Sequence, residues 1–95
     1  MAAYLIGQIA VSDESQYDKY KALTPAAIEK HGGRFVVRGG EFRILEGSGD
    51  FDRVVLIEFP TLEAVEAFYN SPEYTEARAV RKGAAIGTFV AVQGV

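Results

Sequence analysis

An α+β fold with the element order β-α-β-β-α-β is predicted by three observations. Arg53-Val-Val-Leu-Ile-Glu-Phe59 is a short run rich in β-branched and aromatic residues, bounded by turn residues. Two segments, from Asp13 and from Ser71, open with capping residues and continue at helical spacing. The stretch His31-Gly-Gly-Arg-Phe-Val-Val-Arg38-Gly-Gly brackets a short apolar strand between two glycine pairs.

Residues 3–11 read as the first strand, with Tyr4, Ile6 and Gln8 on one side and Leu5, Gly7, Ile9 and Val11 on the other. Ser12-Asp13 opens a helix. Asp13 as N-cap and Gln16 three residues on fit a capping box. Tyr17, Tyr20, Leu23, Ala27 and Ile28 follow at helical spacing. Pro25 interrupts that run and predicts a kink, or a restart capped by Thr24, because proline cannot donate to the ladder. Gly32 is expected to end the helix in the left-handed conformation.

Residues 34–38 form the second strand, with a bulge or bend at Gly39-Gly40 and a continuation from Phe42 to Glu46. Gly47 to Asp52 is the turn into the third strand, Arg53 to Phe59. Pro60-Thr61 stops that strand and starts a helix with Leu62, Val65, Phe68 and Tyr69 on one face. Ser71-Pro72-Glu73 restarts it: a serine cap, proline at the first position and an acid in the first turn. This piece runs to about Lys82, Gly83 stops it, and residues 86–93 are the last strand. The whole is a ferredoxin-like, split βαβ arrangement in one domain, residues 1–95: an antiparallel sheet with helices on one face and the second helix broken.

The third strand is apolar on both faces, with Val55, Ile57 and Phe59 on one and Val54 and Leu56 on the other. Right-handed crossovers put both helices on the same side. Nothing in 95 residues is left to cover the second face. A second copy of the chain covers it in a dimeric α+β barrel, so a homodimer is expected.

Apolar residues make up 48% of the chain and charged residues 24%, with net charge −3. No basic block points to nucleic acid. No apolar run reaches the ~18 residues of a membrane span. The first residues lack the basic start and long apolar stretch of a signal peptide, so a cytoplasmic location is expected. The absence of cysteine excludes disulfides, zinc-thiolate sites and thiol catalysis. A single histidine without ligand-spaced carboxylates predicts no metal, and no cofactor is expected.

The residues Tyr17-x-x-Tyr20, His31-Gly-Gly33, Val37-Arg38-Gly-Gly40, Leu45-Glu-Gly47, Arg53, Ile57-Glu-Phe-Pro60, Phe68-Tyr69-x-Ser-Pro-Glu-Tyr74, Arg81 and Val92-x-Gly94 span nearly the whole chain. In these the sequence resembles the domain of unknown function 1330 family, within the dimeric α/β-barrel superfamily. The resemblance implies the fold, the dimer and a pocket between sheet and helices. That family has no established activity. Its more distant fold relatives include cofactor-independent monooxygenases, haem-degrading monooxygenases and small isomerases.

His31, Arg38 and Glu58 are the candidates for chemistry. His31 is the natural acid–base group near neutral pH, but its place at a helix end also suits a cation capping the last carbonyls. Arg38 ends a strand beside glycines that let a ligand approach, and a guanidinium grips carboxylate or phosphate; an ion pair with Glu58 explains it equally. Glu58 interrupts an apolar face and needs a partner, Arg38 or Arg81. Arg53 and Glu46 flank one turn and read as a cross-strand pair. Tyr17, Tyr20, Tyr69 and Tyr74, with Arg38 and Arg81, are the candidate ligand-binding residues: tyrosines with apolar bodies and polar tips, arginines for an anion. Two readings stand. One is a pocket for a small apolar or aromatic anion, serving a cofactor-independent oxidoreductase or isomerase. The other is a non-catalytic dimeric binding or structural module in which Arg38 and Glu58 pair.

Overall fold

The computed structural model describes residues 1–95. Four strands, β1 (Ala3–Val11), β2 (Arg34–Arg38), β3 (Arg53–Phe59) and β4 (Ala85–Gln93), form one sheet in the order β2-β3-β1-β4. Every pairing is antiparallel. Three helices, α1 (Glu14–Lys30), α2 (Leu62–Tyr69) and α3 (Pro72–Arg81), complete the ferredoxin-like α+β fold.

The alternation seen in the sequence sets the two faces. Ala3, Leu5 and Ile9 of β1 and Val55, Ile57 and Phe59 of β3 are buried. They share one core with Tyr17, Tyr20, Ala27 and Ile28 of α1, Val65 and Phe68 of α2, and Tyr74 and Ala77 of α3. Ile6, Leu56 and Val90 are matched across three strands on the opposite face. With Ile86 (82% exposed), Val90 (49%) and Val92 (42%), they make an apolar sheet face that no helix covers.

Three local expectations are corrected or narrowed. First, α1 runs unbroken through Pro25. Pro25 has no N–H for the carbonyl four residues earlier, that of Lys21. Two side chains take that donor's place: Thr24 Oγ1 at 3.1 Å and Arg38 Nη2 at 3.0 Å. Second, the strand's bulge falls at Val36, between the Phe35–Ile57 and Val37–Leu56 pairs, while the chain bends at Gly39 as one of the two expected alternatives. Gly39 still matters: its φ is +71°, and its N–H adds a last bond to Val54 O at 3.0 Å. Third, residues 42–46 form no strand. β3 begins at Arg53 and offers them no partner; Leu45 is 94% exposed, and Phe42 instead stacks on Phe51 at 5.3 Å.

The helix ends follow their capping chemistry. Asp13 accepts from Gln16 N at 3.1 Å and Ser15 Oγ at 3.0 Å. The reciprocal half of the capping box does not form, because Gln16 Nε2 donates to Val80 O at 3.1 Å and ties α1 to α3. Gly32, at φ +78°, and Gly33 donate to Glu29 O and Ile28 O, closing the helix. Ser71 caps α3, accepting from Tyr74 N at 3.2 Å and donating to Phe68 O at 2.7 Å.

The amide of Gln16 and the Ser15 hydroxyl hold the Asp13 carboxyl below the usual carboxylate range. Its cap is therefore in place above the unfolded-state value and lost as pH falls through the lower, folded one. Asp13→Ala should lower the unfolding free energy at neutral pH, as loss of an N-cap does. In urea titrations the gap between wild type and variant should close as pH falls below about 4.

Candidate functional site

The residues singled out from the sequence divide among five places. A cleft between the sheet and α1 takes Tyr17, Tyr20 and Tyr74 from the helices and Arg38 from the end of β2. Tyr69 lies outside it, in a groove along α2 and β4 with Val65 and Ala91, and Arg78 stacks on its ring at 4.4 Å. Arg81 stands behind the cleft, its guanidinium 5.2 Å from the Tyr20 ring centre and 4.5 Å from that of Phe89. His31 and Glu58 are elsewhere.

His31 caps α1: Nδ1 bonds Ala27 O at 2.9 Å and the ring meets Phe68 edge-on at 6.1 Å. That is the helix-end role available to a histidine. Glu58 projects from the uncovered sheet face. It accepts from Arg34 Nε at 2.9 Å and the Tyr4 hydroxyl at 3.1 Å. Register explains the partner: Arg34 and Glu58 are opposed, whereas Arg38 is opposed to Val55 and points to the helix side. The expected Arg38–Glu58 and Arg81–Glu58 pairs are therefore impossible in this sheet. The bond to Glu58 raises the Tyr4 pKa.

The cleft walls are apolar: Leu5, Ile9, Val55 and Ile57 from the sheet floor, Phe35 and Phe89 at the sides, Phe68 and Ile28 at the inner end. Its polar groups are Lys21, Arg38, Arg53, Thr24 and the hydroxyls of Tyr17, Tyr20 and Tyr74. No carboxylate and no histidine line it. The space is about 370 Å³ when the open mouth is counted. As closed here, its interior has free room for about one water.

Arg53, read from the sequence as a partner of Glu46, makes no ion pair. Its guanidinium lies 5.6 Å from the Tyr17 ring and fills the space where a Cβ on residue 39 would stand. Its Nε is buried without an acceptor. The neighbouring Asp52 uses its carboxylate on the Val11 N–H instead. Arg38 also lacks a carboxylate; it lies over Phe35 at 4.4 Å and bonds the Lys21 carbonyl. Lys21 reaches outward to Asp18 at 3.1 Å. A second pocket continues outward past Tyr17, Lys21 and Arg53 to Glu14, Asp18 and Asp52. The sequence signal for Arg53 was its position, first in a strand beside a positive-φ glycine. Phe35 and Phe89 carried no signal that separated them from ordinary core.

Inside the cleft the Tyr20 and Tyr74 hydroxyls are 2.7 Å apart. The two residues are 6% and 2% exposed. Burial raises both pKa values, and burial likewise raises that of Tyr17, against the pull of the Arg53 charge. These tyrosines stay protonated donors at neutral pH. No three His, Asp or Glu side chains gather where a metal could be held, and no helix is long and apolar enough to cross a membrane.

Removing one hydroxyl strands the other in a dry site, whereas removing both leaves an apolar contact of the same shape. Tyr20→Phe or Tyr74→Phe alone should therefore cost about 1–3 kcal/mol, and the double variant no more than either single one. A denaturant double-mutant cycle reads this as a coupling energy.

The fold recurs in solved structures. A protein of unknown function from Rhodopseudomonas palustris aligns with a TM-score of 0.78 at 20% identity, covering 99% of this chain and 82% of that one. A dimeric ferredoxin-like protein of unknown function from Jannaschia sp. aligns at 0.75 and 13% identity, covering 99% and 100%. SnoaB, a cofactor-independent oxygenase from Streptomyces nogalater, aligns at 0.65 and 12% identity, covering 99% and 93%. At these identities the likeness is one of fold. No curated protein matches. One family model, described as Domain of unknown function (DUF1330), matches residues 2–95.

Proposed function

The chain belongs to the DUF1330 family, and on that premise we propose that it is a homodimeric protein that binds a small apolar or aromatic anion in the sheet–helix cleft. The observation that carries this reading is the polar content of the cleft: Lys21, Arg38 and Arg53 with no carboxylate among the lining residues. A buried guanidinium nitrogen without an acceptor is costly, more so than a neutral donor. Arg53 Nε is such a nitrogen. An anionic oxygen entering beside it removes that cost, and the aromatic walls take the rest of the ligand. Arg38 is held meanwhile by the Lys21 carbonyl, an acceptor that Pro25 leaves free. A carboxylate or enolate is a stronger acceptor than a carbonyl, so Arg38 exchanges one for the other as the mouth between α1 and β2 opens.

A catalytic reading draws support from proteins of similar fold, SnoaB, a cofactor-independent oxygenase, among them. Against it, neither His31 nor Glu58 reaches the cleft, and its tyrosines hold their protons. The binding reading needs no base and is preferred.

The dimer rests on the uncovered sheet face. A second copy laid on it buries Ile6, Leu56, Ile86, Val90 and Val92, together with the Arg34–Glu58–Tyr4 cluster. The Jannaschia protein of this fold is described as dimeric.

A panel of aromatic and aliphatic carboxylates, phenols and their neutral amides, followed by thermal shift and calorimetry, tests the ligand class. Anions should stabilise the protein and amides should not. Arg53→Met should weaken binding by about tenfold to a hundredfold, as loss of a charged hydrogen bond does. Unchanged affinities in Arg53→Met and Arg38→Met, or no binding by any acid, overturn the reading. For the dimer, light scattering at micromolar concentration should give twice the chain mass, and Leu56→Glu should give the monomer. A monomeric wild type removes the argument from the uncovered face.

A further inference from the structure

We infer that the inner end of the cleft is a second recognition point, built by the Tyr20–Tyr74 hydroxyl pair, for a carbonyl oxygen, so that the ligand is a keto acid. The inference rests on the anion-binding reading above and narrows it.

The argument is a count of protons. Two phenol groups carry two O–H protons. Whichever hydroxyl donates across the 2.7 Å contact, the other keeps a proton with no acceptor. Both side chains are more than nine-tenths buried and both line the cleft, so water does not take that proton freely. Beside them Arg81 is itself a donor, and its Nη1 is also buried without an acceptor; the Thr24 hydroxyl is turned to the Lys21 carbonyl. The inner end of the cleft thus holds donors in excess and acceptors in deficit. A ligand that fits supplies an acceptor there. A carbonyl oxygen accepts the spare O–H, and the Arg81 charge beside Tyr20 favours the negative end of that carbonyl dipole. The first recognition point, Arg38 and Arg53, is on the sheet and at its β2 edge; the second is on α1 and α3. A ligand spanning them has an acid at one end, an apolar body against Phe35, Ile57 and Phe89, and an oxygen acceptor at the other.

The test compares matched acids with the acid and the oxygen at opposite ends of an aromatic body, differing by one oxygen: 4-acetylbenzoate against 4-ethylbenzoate, and (4-acetylphenyl)acetate against (4-ethylphenyl)acetate, titrated by calorimetry. In wild type the keto member of at least one pair should bind about tenfold more tightly, the worth of one hydrogen bond to a buried donor. The double variant Tyr20→Phe/Tyr74→Phe removes both protons and keeps the shape, so the two members should become equal. Either single variant keeps one O–H and should retain part of the preference. Equal binding within both pairs by wild type, or a preference that survives the double variant, overturns the inference and leaves the anion site standing. Failure of all four acids to bind overturns both. Because the readout is a ratio within one variant, a general loss of stability does not move it.

Discussion

Right-handed crossovers place every helix of this chain on one face of one sheet, and the rest of the structure answers to that placement. β1 sits between β3 and β4 and contributes Ala3, Leu5 and Ile9 to the layer beneath the helices. The same alternation sends Ile6 the other way, to meet Leu56 and Val90 in a row with nothing above it. A chain of this length has one dry layer to offer. The covered face therefore has to hold both the stabilising core and any ligand site. This is why the cleft is lined by core residues, and why its closed form has so little free room.

Polar groups placed in such a layer are satisfied only from within it. Arg38 reaches a helix carbonyl that Pro25 has left without its backbone donor. Tyr20 and Tyr74 share one bond, which leaves one of their two protons without an acceptor. Arg53 and Arg81 rest against ring faces, whose negative potential compensates part of their charge and leaves one nitrogen on each without an acceptor. The imbalance has one sign throughout: donors exceed acceptors. On the uncovered face the balance is complete, with Glu58 taking Arg34 and Tyr4.

Strands β1 and β3 were legible because their apolar alternation matches the pleat over their whole length, and the helix starts because Asp13, Thr61 and Ser71 cap as small oxygen-bearing residues do. What failed did so for physical reasons of longer range. Pro25 looked like a break because only local donors were counted; the donors that rescue the helix are the hydroxyl next door and a guanidinium from another strand. Phe42 to Glu46 has strand-forming residues but no strand beside it, and a β-strand is a pairing before it is a propensity. The partners of Glu58 and Arg38 depend on the one-residue slip at Val36, which sends Arg34 and Arg38 to opposite faces and leaves no local mark in the residue pattern. Of the candidate residues, Tyr17, Tyr20, Tyr74 and Arg38 come together at one cleft, while His31, Glu58, Tyr69 and Arg81 do not line it.

The glycine at residue 39 links two distant positions. Its left-handed backbone ends β2, and the volume that its missing side chain vacates is occupied by the Arg53 guanidinium. Any larger residue there would be strained in itself and would need the Arg53 guanidinium to shift. Positions 39 and 53 are thus coupled across the sheet: a substitution that removes the glycine also remodels the mouth of the cleft through the arginine.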